Sequence, residues 1–136
     1  MTKLRIGVIG CGGRGRGHLQ VLNSFEDVEL VAVCDPFVET REQAGKEFAI
    51  EHRYAEVEQM LDAEELEAAI VATPAHLNAQ AALPCLERGI DTLLEKPPGM
   101  NLAETRSLKE AAQASGARGM VGWNRRFDPF VTPARR

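Results

Sequence analysis

"VIGCGGRGRGH", residues 8–18, carries five glycines within eight positions, directly after an apolar run. A helix or strand interior disfavours glycine, which loses more backbone freedom on ordering than any other residue. The stretch therefore reads as a turn, and Gly10-Cys11-Gly12-Gly13-Arg14-Gly15 within it fits G-x-G-x-x-G. In that pattern the first glycine permits a tight turn, the second lets the backbone approach a pyrophosphate, and the third lets the following helix pack close to the strand. The helix start offers free N–H groups and the positive end of its dipole to the phosphates. The competing reading is a connecting turn without a ligand, and the strand pattern before it and helix pattern after it favour the anion-binding one. Gly17 falls in the first helical turn, where it costs about 1 kcal/mol against alanine. Arg14 either contacts a phosphate or is solvated, and His18 has no visible partner and is assigned no role.

Working outward, apolar runs of strand length recur at residues 4–10, 28–35, 66–73, 91–95 and 118–123. The first, third and last read as buried strands. Between them apolar positions recur at helical spacing: Leu19, Leu22 and Phe25; Val38, Ala44 and Phe48; Val57, Met60 and Leu61; Ala82, Leu83 and Leu86. A short strand at His52–Tyr54 precedes a helix over 55–61, completing a β-α alternation with about six strands. Asn101 with Glu104 three residues on resembles a capped helix start, predicting a helix over 102–115 that Gly116 ends. The expected fold is α/β, a doubly wound parallel sheet of the Rossmann type in one domain.

With 136 residues, 44% of them apolar, the chain supports one core. Its net charge of −4, with the signs interspersed, gives no nucleic-acid-binding face and no polybasic membrane patch. No apolar run approaches the ~20 residues of a membrane span. Cys11, Cys34 and Cys85 lack CxxC spacing and read as reduced thiols of a cytoplasmic protein, with no metal site. The expected partner is a small molecule.

Asp35 ends the second strand, 20 residues after Gly15. An acid there accepts hydrogen bonds from the hydroxyls of an adenosine ribose and repels a 2′-phosphate, so NAD is favoured over NADP. Pro36 and Phe37 follow, leaving no adjacent arginine; Arg41 lies further on. Asp35 could also cap the next helix. Strands ending in "ATPAH" and "LLEKPPG" bring Thr73, Pro74, His76, Glu95, Lys96 and Pro97 to the carboxyl edge of the sheet, where ligands bind in such folds. Lys96, held between a strand end and a proline, suits an electrostatic anchor for a substrate oxygen better than a solubilising charge.

The glycine turn, Asp35 in "CDP", "ATPAHLNAQAALPCLERG" and "LLEKP", in this order, resemble the nucleotide-binding domain of the Gfo/Idh/MocA oxidoreductases. The resemblance spans nearly the whole chain and implies NAD(P)-dependent oxidation or reduction at a hydroxyl or carbonyl carbon of a sugar, cyclitol or related compound. It also implies that Lys96 hydrogen-bonds the reacting oxygen, with Glu95 and Pro97 setting its position, and that Arg126 lies near the nicotinamide. Asn124 and Trp123 would line the same pocket. Where the family often has P-N-H-x-H, this chain has Ala75 for the asparagine and Asn78 for the second histidine, so only His76 carries over. Residues 1–123 are expected to form the NAD(P)-binding domain, and 124–136 to begin the connection to a further substrate and oligomerisation domain. Ending there, the chain would bind cofactor without turnover and expose apolar surface prone to self-association.

Simpler readings compete at several positions. His76 suits a helix-start role better than catalysis, Trp123 reads as core, and His52 as solvated. A free-standing NAD-binding or regulatory module is the alternative function, disfavoured by Lys96, which a sensor does not need. A methyltransferase using S-adenosylmethionine would have no place for "EKP". Glucose-6-phosphate dehydrogenases share E-K-P-x-G but not this glycine turn.

Overall fold

Strand β1 (Leu4–Ile9) runs into the glycine turn and on into helix α1 (Gly13–Leu22) in a computed structural model that describes residues 2–129. The chain then alternates through β2 (Val28–Cys34), α2 (Val38–Glu47), β3 (His52–Tyr54), α3 (Val57–Ala63) and β4 (Ala68–Val71). A short 3-10 turn (Ala75–Leu77) leads into α4 (Asn78–Glu87), followed by β5 (Asp91–Leu94), α5 (Leu102–Ser115) and β6 (Gly119–Val121). A second 3-10 turn, Asn124–Phe127, follows β6. Of the expected connection over 124–136, residues 130–136 lie outside the described residues.

All six strands are parallel, in the order β3-β2-β1-β4-β5-β6. The order reverses direction between β1 and β4, and in open α/β sheets that switch point is where the crevice for ligands opens. Both sheet faces are covered, as parallel sheets require. Ile6 and Val8 of β1 pack with Leu19, Val33, Ala44 and Ile70 on the face under α1 and α2. Ile9, Ala32, Val71 and Leu94 pack with Met60, Ala82, Leu86 and Leu108 on the other.

The expected buried last strand is corrected: β6 is an edge strand whose Met120 is 58% exposed, because only β5 pairs with it. Helix α1 ends at Leu22, so Phe25 lies beyond it and is exposed, and Gly17 falls in its second turn.

The start of α5 behaves as its sequence requires. The Glu104 N–H donates to Asn101 Oδ1 at 2.9 Å, and Glu104 reaches back to accept from the Met100 N–H at 2.7 Å. Gly116 closes the helix in the left-handed conformation at φ 80°. Asn101→Ala is expected to lower stability by about 1 kcal/mol, the usual cost of a lost N-cap, read as an earlier midpoint in urea at unchanged slope.

Candidate functional site

The glycines of the turn differ in what a side chain would meet. Gly10 sits at φ +88°, and a Cβ there would meet the Ala72 carbonyl oxygen at 2.5 Å. A Cβ on Gly15 would stand 1.7 Å from the Gly10 carbonyl oxygen, so only glycine lets α1 start this close to β1. Gly12 and Gly13 face open space, with nothing within 4 Å of a Cβ. Gly12 caps α1 with no side-chain hydrogen bond, leaving the helix N-terminus open to an anion.

Asp35 is buried at the end of β2. Its Oδ2 accepts from the Cys11 N–H at 2.9 Å, and its Oδ1 from the Phe37 N–H at 2.9 Å. The carboxylate therefore belongs to the glycine turn as much as to β2. The helix-capping reading is corrected, since Phe37 is the N-cap of α2 and the acid lies two residues earlier. Arg41 folds back onto this loop, its Nη1 donating to the Asp35 and Pro36 carbonyls at 3.3 and 3.2 Å. Burial, reinforced by the Asp35 charge, pushes the Cys11 and Cys34 thiols up to about 12, so both stay protonated and unreactive.

Glu95 ends β5, and its side chain turns back to α1. Arg14 Nε and His18 Nε2 lie 3.1 and 2.9 Å from the same oxygen, Oε1. Two expectations change accordingly. His18 has a partner, and Arg14 is neither simply solvated nor free for a phosphate alone. The spacing of Arg14 and His18, four residues apart on one helix face, held the signal; the acid they share is 77 residues away from His18 and was not visible.

The β4 and β5 ends are joined by Asn78, which is wholly buried. Thr73 donates from its hydroxyl to Asn78 Oδ1 at 2.8 Å, and the Asn78 amide donates to the Glu95 and Pro97 carbonyls, each at 3.0 Å. The residue that departs from the family's histidine thus fastens the "EKP" turn, whose Lys96–Pro97 bond is cis. Pro74 precedes the 3-10 turn carrying His76, which is exposed and makes no hydrogen bond or ion pair among the described residues.

Three hollows border the glycine turn among the described residues; one of about 480 Å³ lies between α1 and α2, lined by residues that include Cys11, Gly12, Gly13, Thr40 and Gln43. An apolar slot of about 310 Å³ lies over the ends of β1, β2 and β4, lined by residues that include Gly10, Cys34, Pro36, Thr73 and Leu77. A cleft of about 460 Å³ lies at the ends of β5 and β6, lined by Arg14, Lys96, Trp123, Asn124, Arg125 and Arg126. Trp123 is corrected from core to cleft wall, being 54% exposed just past the edge strand. His52 is half-exposed, as expected, but contacts Glu64. No helix among the described residues is long and apolar enough to cross a membrane, and no cluster there could hold a metal.

A doubly wound parallel sheet with a bare phosphate turn at its switch point and an acid at the end of its second strand defines a dinucleotide-binding domain. The chain belongs to the Gfo/Idh/MocA oxidoreductases: the model of that family, an oxidoreductase family with an NAD-binding Rossmann fold, matches residues 4–123. It is 32% identical over 124 residues to D-apiose dehydrogenase of Paraburkholderia graminis, covering 91% of this chain and 33% of that one. It is 30% identical to the NAD-dependent scyllo-inositol 2-dehydrogenase of Bacillus subtilis, covering 98% and 40%. The crystal structure of myo-inositol 2-dehydrogenase from Lactobacillus plantarum superposes with a TM-score of 0.89 at 25% identity, over 98% of this chain and 40% of that one. The chain thus spans roughly a third to two-fifths of the length of these relatives.

The open space at Gly12, at an ordinary φ of −69°, separates binding from folding. Gly12→Val is expected to remove dinucleotide binding, because its side chain fills the space of the pyrophosphate, while circular dichroism and thermal midpoint stay near those of the parent. Retained affinity in calorimetric titration would make the turn purely structural.

Proposed function

We propose that these residues are the cofactor-binding part of an NAD-dependent dehydrogenase that interconverts a hydroxyl and a carbonyl carbon of a sugar, cyclitol or related polyol. The observation that carries this reading is that Lys96 shares one cleft with Arg14 of the phosphate turn. A cation suited to a reacting oxygen thus lies beside the turn suited to the pyrophosphate. Relatives named for D-apiose and scyllo-inositol support the substrate class.

The residues present fit the dinucleotide. The Gly10–Gly15 turn would take the pyrophosphate at the start of α1, Asp35 would accept from the adenosine ribose, and the apolar slot bordered by Thr73 would take the adenine ring. When bound, the nicotinamide exchanges a hydride with the substrate carbon. Lys96 would donate a hydrogen bond to the oxygen on that carbon and stabilise negative charge developing on it. Glu95, clamped by Arg14 and His18, and Pro97, whose carbonyl Asn78 holds, fix the turn from which Lys96 projects. Arg126 would stand on the nicotinamide side. A cytoplasmic location fits the buried unpaired thiols. Self-association fits the exposed Met120 and Phe127 near the edge strand, and sedimentation at rising concentration tests it.

The whole protein is expected to reduce NAD with a polyol, and Lys96→Ala to lower kcat by about 10²- to 10³-fold, as for other single donors to a developing oxyanion. NAD binding without turnover of any sugar or cyclitol would instead favour a non-catalytic module.

Asp35 also sets the cofactor preference. Repulsion of a 2′-phosphate and lost ribose hydrogen bonds are expected to favour NAD over NADP by about 1–3 kcal/mol, roughly 5- to 150-fold in affinity. Asp35→Ala should narrow that ratio and Arg41→Ala widen it, since the Arg41 cation lies on the same loop. Equal or tighter binding of NADP in calorimetry would overturn the assignment.

A further inference from the structure

Strand β3 is three residues long and pairs only with β2, matching His52, Arg53 and Tyr54 to Ala32, Val33 and Cys34. The pairing continues one step past the last of these, because the Asp35 N–H donates to the Tyr54 carbonyl at 3.0 Å. The main chain of the acid assigned to the ribose is thus tied to the end of a short edge strand. Few backbone bonds hold such a strand, and its ends are where sheets open first.

Side chains supply the missing hold. Alternation along β3 puts Arg53 on one face and His52 with Tyr54 on the other. Arg53 is fastened to α2 and its end, donating to Glu42 at 2.7 Å and to the Ile50 carbonyl at 2.8 Å. On the opposite face the Tyr54 hydroxyl donates to Glu64 Oε1 at 2.5 Å, and His52 Nδ1 contacts the same oxygen. Glu64 follows directly on α3, and its side chain is only 6% exposed. A carboxylate buried that far is costly without partners, so it fixes the direction of the groups that meet it. The Tyr54 ring itself packs on the apolar core, which a phenylalanine would do equally well. Only the hydroxyl defines where the strand end lies. Helix α3 begins at Val57, which with Ala55 lines the apolar slot, so the same bond closes the segment that borders the slot. The hydrogen bond to Glu64, then burial and the Glu64 charge, push the Tyr54 phenol up to about 12.

We infer that Tyr54 and Glu64 are positioning residues for cofactor recognition: their bond holds the end of β3, whose carbonyl fixes the Asp35 main chain and so keeps the carboxylate where it meets the adenosine ribose and repels a 2′-phosphate. This rests on the assignment of Asp35 above and extends it to two residues that act through it.

Calorimetric titration gives the Kd values for NAD and NADP in the chain and in Tyr54→Phe, Glu64→Ala and Glu64→Gln. Tyr54→Phe and Glu64→Ala are each expected to lower the preference for NAD, the ratio of the two Kd values, about threefold or more. Glu64→Gln, whose amide oxygen still accepts from the phenol, should keep the ratio within about twofold of the parent. A merely structural role would weaken both dinucleotides alike and leave the ratio unmoved. Because the effect runs through Asp35, adding Tyr54→Phe to Asp35→Ala should change the ratio by less than about twofold. Tyr54 is the single tyrosine of the chain, so tyrosinate absorbance reports the bond directly. At about pH 10 it should be nearly absent in the parent and close to half its full value in Glu64→Ala, where the phenol returns to its ordinary range. An unchanged ratio in Tyr54→Phe, a further fall of the ratio on top of Asp35→Ala, or a parent tyrosine that ionises in the ordinary range overturns the inference. If neither dinucleotide binds, or Asp35→Ala leaves the ratio unchanged, the assignment of Asp35 falls and the inference with it; if Asp35→Ala lowers the ratio and Tyr54→Phe does not, only the inference falls.

Discussion

The architecture of the site depends on how closely α1 approaches the strand it follows. At Gly15 the helix backbone comes so near the Gly10 carbonyl that a single methyl group would overlap it, 1.7 Å away. Gly10 in turn presses against the Ala72 carbonyl after β4, from a backbone conformation with φ +88°. These two glycines therefore hold β1, α1 and the end of β4 at a spacing that other residues cannot reproduce without moving the helix. Gly12 and Gly13 differ, since nothing lies within 4 Å of a Cβ on either. Two pairs of glycines in one motif thus do separate work, one pair packing and one pair leaving room.

From that contact the rest of the crevice is tied together by a few buried polar groups. Asp35 brings the end of β2 to the turn through Cys11. Glu95 brings the end of β5 to α1 through Arg14 and His18. Asn78 then joins the β4 and β5 ends and holds the turn that presents Lys96. Buried groups of this kind are costly when unpaired and directional when paired, and no buried side-chain nitrogen or oxygen among the described residues lacks a partner. The turn that carries Lys96 is therefore held by two links, Glu95 to α1 and Asn78 to the end of β4.

The fold was legible because its signals are local. Strand-length apolar runs, helical spacing, the Asn101–Glu104 cap and the glycine turn each announce themselves within a few residues, and the structure follows them with small shifts at the ends. Even the three-residue β3 was readable, from the gap it had to fill. The burial of β6 was misread because "GMV" looks the same whether one neighbour or two lie beside it. Trp123 failed likewise, its apolar ring suggesting core where the chain has already left the sheet. The clamps were the least legible part. His18 meets an acid 77 residues on, and Asn78 meets carbonyls that any sequence would supply, so neither partner leaves a trace in the pattern of side chains.

Charge is also unevenly distributed along the crevice. One end offers a buried carboxylate, Asp35, beside an apolar slot, an environment for ribose hydroxyls and an aromatic base. The helix N-terminus in the middle favours negative charge, and the other end is lined with cations. Asp35 is held to the glycine turn through Cys11, and Glu95 to α1 through Arg14 and His18. This unevenness follows the strand order: the switch point puts β2 on one side of β1 and β4, then β5, on the other, and each side carries its own charge.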